Sequence, residues 1–222
     1  MDISTKEAAR RLQVSPQRVL SLLHNELLIG RQVGRTWLVD EASVAARASL
    51  ASSAGRPWTT ATVRRVVDAL SEGRRLKKRD AGLVARTNAE GLAVRIGQAV
   101  TVHRYSTKWM ERVVERLTLT GESAIDRITT EPWRNLHAKA YGIHGYVRGD
   151  DTLDSIVAAA RLVEDSTGDV FIHRIRDDSF SWPHTPTALV AADCFRSTST
   201  RVRSVGAEAL SQMREQWLKN ID

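Results

Sequence analysis

The sequence predicts a mixed α and β protein: an N-terminal unit of short helices and one hairpin, then an α/β domain whose small sheet is covered by helices. Two helix-start signals and a hairpin signal fall within the first 46 residues, and beyond residue 80 strand-like alternation takes turns with helical spacing. The charge is also divided unevenly: residues 1 to 79 hold 15 Lys and Arg against 7 Asp and Glu, while residues 80 to 222 hold 18 against 19. The basic excess of this +7 chain therefore lies in its first third. At 222 residues, with 42% hydrophobic and 27% charged side chains, the chain suits two folded domains. The expected division is 1–48 for the first domain, 49–58 for a linker, 59–79 for a basic connecting helix and cluster, and 80–222 for the α/β domain.

Ser4-Thr5-Lys6-Glu7 has the form of a capping box, in which a hydroxyl satisfies the free amides of a helix start and a glutamate reaches back. A helix is expected from about Thr5, burying Ala8, Ala9 and Leu12 and leaving Lys6, Arg10 and Arg11 for solvent or phosphate. Ser15-Pro16 marks a second start, an N-cap followed by the residue best tolerated in a first turn. That helix would bury Val19, Leu22 and Leu23 and present Gln17, Arg18, Ser21 and Asn25, side chains suited to base edges in a major groove. Arg31 to Val39 alternates about Gly34-Arg35, the spacing of a tight hairpin, with Trp37 as the aromatic plug of a small core. Asp40 then caps a third helix from about Glu41 to Ala48. Helix, turn, helix and hairpin in this order read as a winged helix-turn-helix.

Its motifs, Ser-Thr-Lys-Glu-Ala-Ala from Ser4, Val14-Ser15-Pro16 and Val33-Gly34-Arg35-Thr36-Trp37-Leu38-Val39, resemble those of the excisionase and MerR-type winged helix-turn-helix family. The resemblance implies that Arg35 and Arg31 at the wing lie against the sugar-phosphate backbone or in the minor groove. A basic surplus gathered on one module fits a polyanion partner. The candidate DNA-contacting residues are Lys6, Ser15, Gln17, Arg18, Ser21, Arg31, Arg35, Thr36, Arg74, Arg75, Lys77, Lys78 and Arg79. The last five form a run that reads either as a solvated turn or as a second clamp on phosphates.

Ala48 to Gly55 is small and polar, and Arg56-Pro57 restricts the backbone, so a partly flexible tether is expected. The helix after it, from Thr59 or Thr60, carries Val63, Val66, Val67 and Leu70 on one face and stops at Gly73. Residues 83–97 fit helix or strand, since Leu92, Val94 and Ile96 alternate between two glycines. Strands are expected at 100–105, 117–121, 141–148 and 170–175. Helices are expected at 106–116 with Trp109 and Val113 inward, around Ala124, Ile125 and Ile128, after Asp150-Asp151-Thr152, and after Thr185-Pro186. A final helix places Val202, Gly206, Leu210, Met213 and Trp217 on one stripe.

The runs Leu117-Thr118-Leu119-Thr120-Gly121-Glu122-Ser123-Ala124, Gly145 to Asp154 and Thr187-Ala188-Leu189-Val190-Ala191-Ala192-Asp193 resemble the C-terminal domain of AbiEi-type antitoxins, encoded beside a nucleotidyltransferase toxin. The resemblance implies a repressor of its own toxin-antitoxin operon, with double-stranded operator DNA as one partner and the toxin as another, met directly or only functionally. The alternative is a phage-type excisionase or architectural DNA-binding protein.

Signs of catalysis are weak. His24, His103, His137, His144, His173 and His184 are scattered, no metal-ligand spacing occurs, and Gly121-Glu122-Ser123 lacks both a nucleophile elbow and a phosphate loop. Asp150, Asp151 and Asp154 read as caps and dipole partners of a helix start. The expectation is a binding protein with no enzymatic activity, cofactor or metal. The single cysteine, Cys194, excludes an internal disulfide, and with no bilayer-spanning run and no secretion signal the expected place is the cytoplasm.

Overall fold

The protein was analysed as a computed structural model, which describes residues 2–24, 28–34, 36–51, 57–129, 142–148, 151–165, 167–176 and 180–220. It is a mixed α and β chain. A short strand β1 (Asp2–Ser4), which the sequence did not announce, leads into α1 (Thr5–Leu12) and then α2 (Pro16–His24). Strands β2 (Gly30–Val33) and β3 (Thr36–Asp40) form a hairpin closed by the pair Val33 and Thr36, and β1 adds to the other side of β3. Gly34 at the turn has φ of +60°, a conformation that costs an L side chain about 1–2 kcal/mol. Helix α3 (Glu41–Ala51) follows, with Asp40 accepting from the Ser43 amide at 2.8 Å as its cap.

These elements enclose one apolar cluster built from Ile3, Ala8, Ala9, Leu12, Val19, Leu22, Leu23, Leu28, Val39 and Val44. Trp37 packs against it and meets His24 edge to face, as expected of a plug. Ser4 caps α1 through the Glu7 amide at 3.1 Å, but Glu7 turns its carboxylate to Arg10 and Arg11, so the box is made on one side. Helix α3 continues at least three residues past the expected Ala48, to Ala51, where the described segment ends.

The rest of the described chain has a five-stranded sheet. Its elements are α4 (Thr60–Glu72), α5 (Lys78–Arg86), α6 (Ala89–Gly97), β4 (Val100–Ser106), α7 (Met110–Val114), β5 (Leu117–Leu119), a 3₁₀ turn (Gly121–Arg127), β6 (Ile143–Val147), α8 (Leu153–Ala160), β7 (Val163–Glu164), β8 (Val170–Ile175), α9 (Thr187–Phe195) and α10 (Thr200–Lys219). The strand order is β5-β6-β8-β4-β7, with β6 and β8 parallel and the other pairs antiparallel. Strand periodicity sends side chains an odd number of positions apart to opposite faces. Val100, Tyr146 and Ile175 therefore enter one core under α4, α6, α9 and α10, while Tyr105, Val170 and Ile172 enter another under α7 and α8.

Several expectations change here. Residues 83–97 are helical, split between α5 and α6 at the Asn88 cap; Leu92, Ala93, Val94 and Ile96 are all buried, and a helix enclosed all round has no amphipathic period to read. The helix expected from residue 106 shrinks to Met110–Val114, and Trp109 stands 42% exposed at its start beneath the Arg112 guanidinium, while Val113 is fully buried. The helix expected around Ala124 is a 3₁₀ turn. Residues 59–79 are no mere connector: Val63, Val66, Val67 and Leu70 of α4 lie in the same core as Leu189 and Trp217. The Trp217 indole donates to the Arg74 carbonyl at 2.9 Å, tying the last helix to the start of the basic run. Thr152 caps α8, and Asp151 pairs with Arg116 at 2.8 Å; Asp150 lies outside the described residues.

Candidate nucleic-acid interface and a buried polar cluster

Ser15 caps α2, its Oγ accepting the Arg18 amide at 3.2 Å, which fixes how the first turn projects. Gln17 and Arg18 are exposed on that turn; Ser21 is half-buried one turn on, and Asn25 lies outside the described residues. Lys6 is exposed on α1 and Thr36 at the base of the hairpin, whereas Arg35 lies outside the described residues. Three arginines expected to be open to phosphate are engaged within the protein. Arg10 binds Glu7 at 2.7 Å, Arg11 binds Glu7 and Glu41, and Arg31 binds Asp2 at 3.0 Å. Arg10 and Arg11 together hold the Glu7 carboxyl down at about 2.

In the basic run, Arg74 pairs with Glu72 at 2.6 Å, and Arg75, Lys77, Lys78 and Arg79 are exposed. The run is not a simple turn, because α5 begins at Lys78 and Lys77 caps it without a side-chain bond. Cations at a helix N-terminus oppose the helix dipole, so their placement does not serve the stability of α5.

The structure adds cations that no linear motif marks. Arg47 on α3 is half-buried, and its guanidinium is lowered to about 10 by burial and by repulsion from Arg176, Arg18 and Arg196. These residues come from α3, the end of β8, the first turn of α2 and the end of α9, so only the fold gathers them.

A second cluster lies on the α9 side of the sheet. Asp193 is fully enclosed, and its Oδ2 accepts from Thr120 Oγ1 at 2.7 Å and Tyr146 OH at 2.9 Å. Its Oδ1 faces His173 Nδ1 at 3.4 Å and an Arg196 nitrogen at 3.9 Å, both long for hydrogen bonds. His173 Nε2 meets His144 Nδ1 at 3.2 Å, and His144 stacks on Phe171 with centroids 4.1 Å apart. Neutral rings satisfy this chain when His144 Nδ1–H donates to His173 Nε2 and His173 Nδ1–H faces Asp193. Burial pushes His144 down to about 3, helped by the neighbouring His173. Burial alone would raise Asp193, but His173, Arg196 and Thr120 outweigh it and hold the carboxyl below the usual range. Burial and the adjacent Asp193 push the Tyr146 phenol well up.

Scattered in sequence, His144, His173 and Asp193 are joined by register, since Tyr146 pairs with His173 and His144 with Phe171 across β6 and β8. One signal was present: a lone acid inside the apolar run Thr187 to Phe195 must be buried and partnered. The groups form a line and do not surround a point, and among the described residues no three of His, Cys, Asp and Glu are grouped to hold a metal ion.

No known family model, characterised protein or solved structure matches the chain. Among the described residues no helix is long and apolar enough to cross a membrane.

Proposed function

We propose that this chain is a sequence-specific DNA-binding transcriptional regulator whose first unit acts as a winged helix-turn-helix. The observation that supports it best is the exposed pair Gln17 and Arg18 on the capped first turn of α2, with Arg18 among the cations that repel the half-buried Arg47. Like charges gathered at one place weaken a fold and favour a polyanion. In this reading α2 lies in the major groove, Arg18 reads a guanine edge, and Lys6 with the run Arg75 to Arg79 holds phosphates. The resemblance to AbiEi-type antitoxins extends the proposal: the regulator represses its own operon, and the sheet-bearing domain counters a nucleotidyltransferase toxin in the cytoplasm.

The test uses the full chain and a duplex from its own upstream region, with a scrambled duplex as competitor. Arg18→Ala is expected to cost about 1–3 kcal/mol at one base pair and to relax preference there, whereas Lys6→Ala weakens all sequences alike. Equal affinity of the unaltered chain for both duplexes would refute sequence-specific reading. For the antitoxin part, co-expression with an adjacent nucleotidyltransferase gene is expected to restore growth, even for an Arg18→Ala chain that no longer represses. Loss of rescue with loss of repression would leave the regulator and remove the direct antitoxin role.

A further inference from the structure

A cavity of about 250 Å³ lies where the two cores meet, where Ile29, Asp40 and Ser43 of the first unit come up against Val102, Phe171 and His144 of the sheet. Ile29, Val102 and Phe171 give it apolar walls. A cavity of about 150 Å³ suffices for a benzene ring, so this one has room for one or two rings. The charged side chains of the lining are engaged within the protein: Asp40 caps Ser43, Arg104 donates to the Gly168 and Thr167 carbonyls, Glu122 accepts from Ser197, and Arg196 faces Asp193. With each head group already partnered, an ion entering here would give up its hydration for little in return.

The hydrogens of the Asp193 cluster decide what the cavity wall offers a guest. The Asp193 carboxylate takes hydrogens from Thr120 and Tyr146 and can only accept, so His173 turns Nδ1–H toward it and keeps Nε2 bare. His144 must then donate Nδ1–H to that nitrogen, which leaves its own Nε2 without a hydrogen. This Nε2 has no partner among the described residues and is not enclosed, for His144 is half-buried at the cavity wall. Apolar walls with one or two placed polar groups are the usual make-up of a small-molecule site.

We propose that this cavity binds a small neutral aromatic molecule of one or two rings, its ring between Ile29 and Phe171 and its O–H or N–H donated to His144 Nε2. Asp193 acts on the guest through two rings, by fixing which nitrogen of His144 is bare.

Calorimetric titration of the full chain compares 3-methylindole with 1-methylindole and 4-methylphenol with anisole, isomers that differ in the donor. The donor of each pair is expected to bind about 3- to 10-fold more tightly, the yield of one neutral hydrogen bond. Benzoate and benzylammonium, of similar size but charged, are expected to bind more weakly than 4-methylphenol. Ile29→Trp fills the cavity and should abolish binding while cooperative melting persists. Ring ¹⁵N shifts need no variant: 3-methylindole should move the His144 Nε2 resonance and leave Nδ1 protonated. Preference should also follow the tautomer. Where Asp193→Asn places a hydrogen on His144 Nε2, quinoline, which only accepts, should overtake 3-methylindole. The proposal is overturned if neither donor saturates below about 3 mM, if the isomers bind alike, if a charged comparator binds best, or if a folded Ile29→Trp chain binds as the parent does. A His144 resonance unmoved at saturation, or a preference that does not follow the tautomer, overturns it as well. No DNA is present, so this test and the operator test fail separately.

Discussion

A carboxylate enclosed on a helix that is apolar all round, as Asp193 is on α9, costs several kcal/mol unless its lone pairs are met. Thr120 and Tyr146 meet one oxygen and His173 faces the other, so Asp193→Ala leaves two hydroxyls and a ring nitrogen unmet. It is expected to lower stability by about 3–5 kcal/mol, read from the midpoint of urea unfolding. Asp193→Asn is milder and more informative. The amide oxygen still accepts from Thr120 and Tyr146, but the amide now donates toward His173 Nδ1, so the hydrogen on both rings must move to the opposite nitrogen. Ring ¹⁵N shifts of His144 and His173 read this exchange; unchanged tautomers would show that Asp193 does not set them. His144 supplies a pH prediction. Its pKa is about 3 in the fold against an ordinary 6.5, so between these values the unfolded chain binds the extra proton. Stability from this group is complete above pH 6.5 and falls as the pH drops toward 3, by at most about 1.4 kcal/mol per pH unit. His144→Gln should flatten that limb of the stability curve, and an equally steep limb would assign acid loss to other groups.

At the scale of elements, the crossing of α9 and α10 rests on Gly206. A Cβ there would stand 2.7 Å from the Phe195 nitrogen and 3.0 Å from the Cys194 Cβ, and would also meet the Ala191 carbonyl. Gly206→Ala must push the helices apart, at about 1–3 kcal/mol, even though alanine is the better helix former. The comparison is Gly73→Ala, at φ of +70° with open space around it, expected to cost about 1 kcal/mol through backbone strain alone. A Gly206→Ala protein as stable as the parent would mean that the two helices slide freely. The stripe of Val202, Gly206, Leu210 and Trp217 was legible in sequence because α10 keeps one side in solvent and so preserves its 3.6 period. Helix α6 was not, because burial on all sides erases that contrast, and the short β1 and β7 form only because a neighbouring strand completes them. The same rule divides the candidate sites. Gln17, Arg18 and Ser15 were legible because one helix turn and its cap hold them together. Arg47, Arg176 and Arg196, like His144, His173 and Asp193, converge from separate elements, and no spacing within one segment encodes that.

For the whole molecule, the paired arginines reduce what bare composition promises. With Arg10, Arg31 and Arg74 held by Glu7, Asp2 and Glu72, the phosphate contacts of the proposed DNA complex would fall mainly to Lys6, Arg75, Lys77, Lys78 and Arg79. About five contacts give a slope of roughly −4.5 in log K against log salt, measurable by titrating the full chain with a duplex at several salt concentrations. A slope near zero would remove the nucleic-acid reading altogether. The bond from the Trp217 indole to the Arg74 carbonyl has a further consequence, in time. Residues 3 to 44 supply the whole of the first core, but the second cannot close around Leu70 and Leu189 until Trp217 has been made. At about 5–20 residues per second the ribosome takes roughly 10 to 30 s to pass from the end of α3 to that tryptophan. Throughout that interval a finished first unit would hang on an unfinished second one, with Gln17 and Arg18 of α2 already in place and exposed.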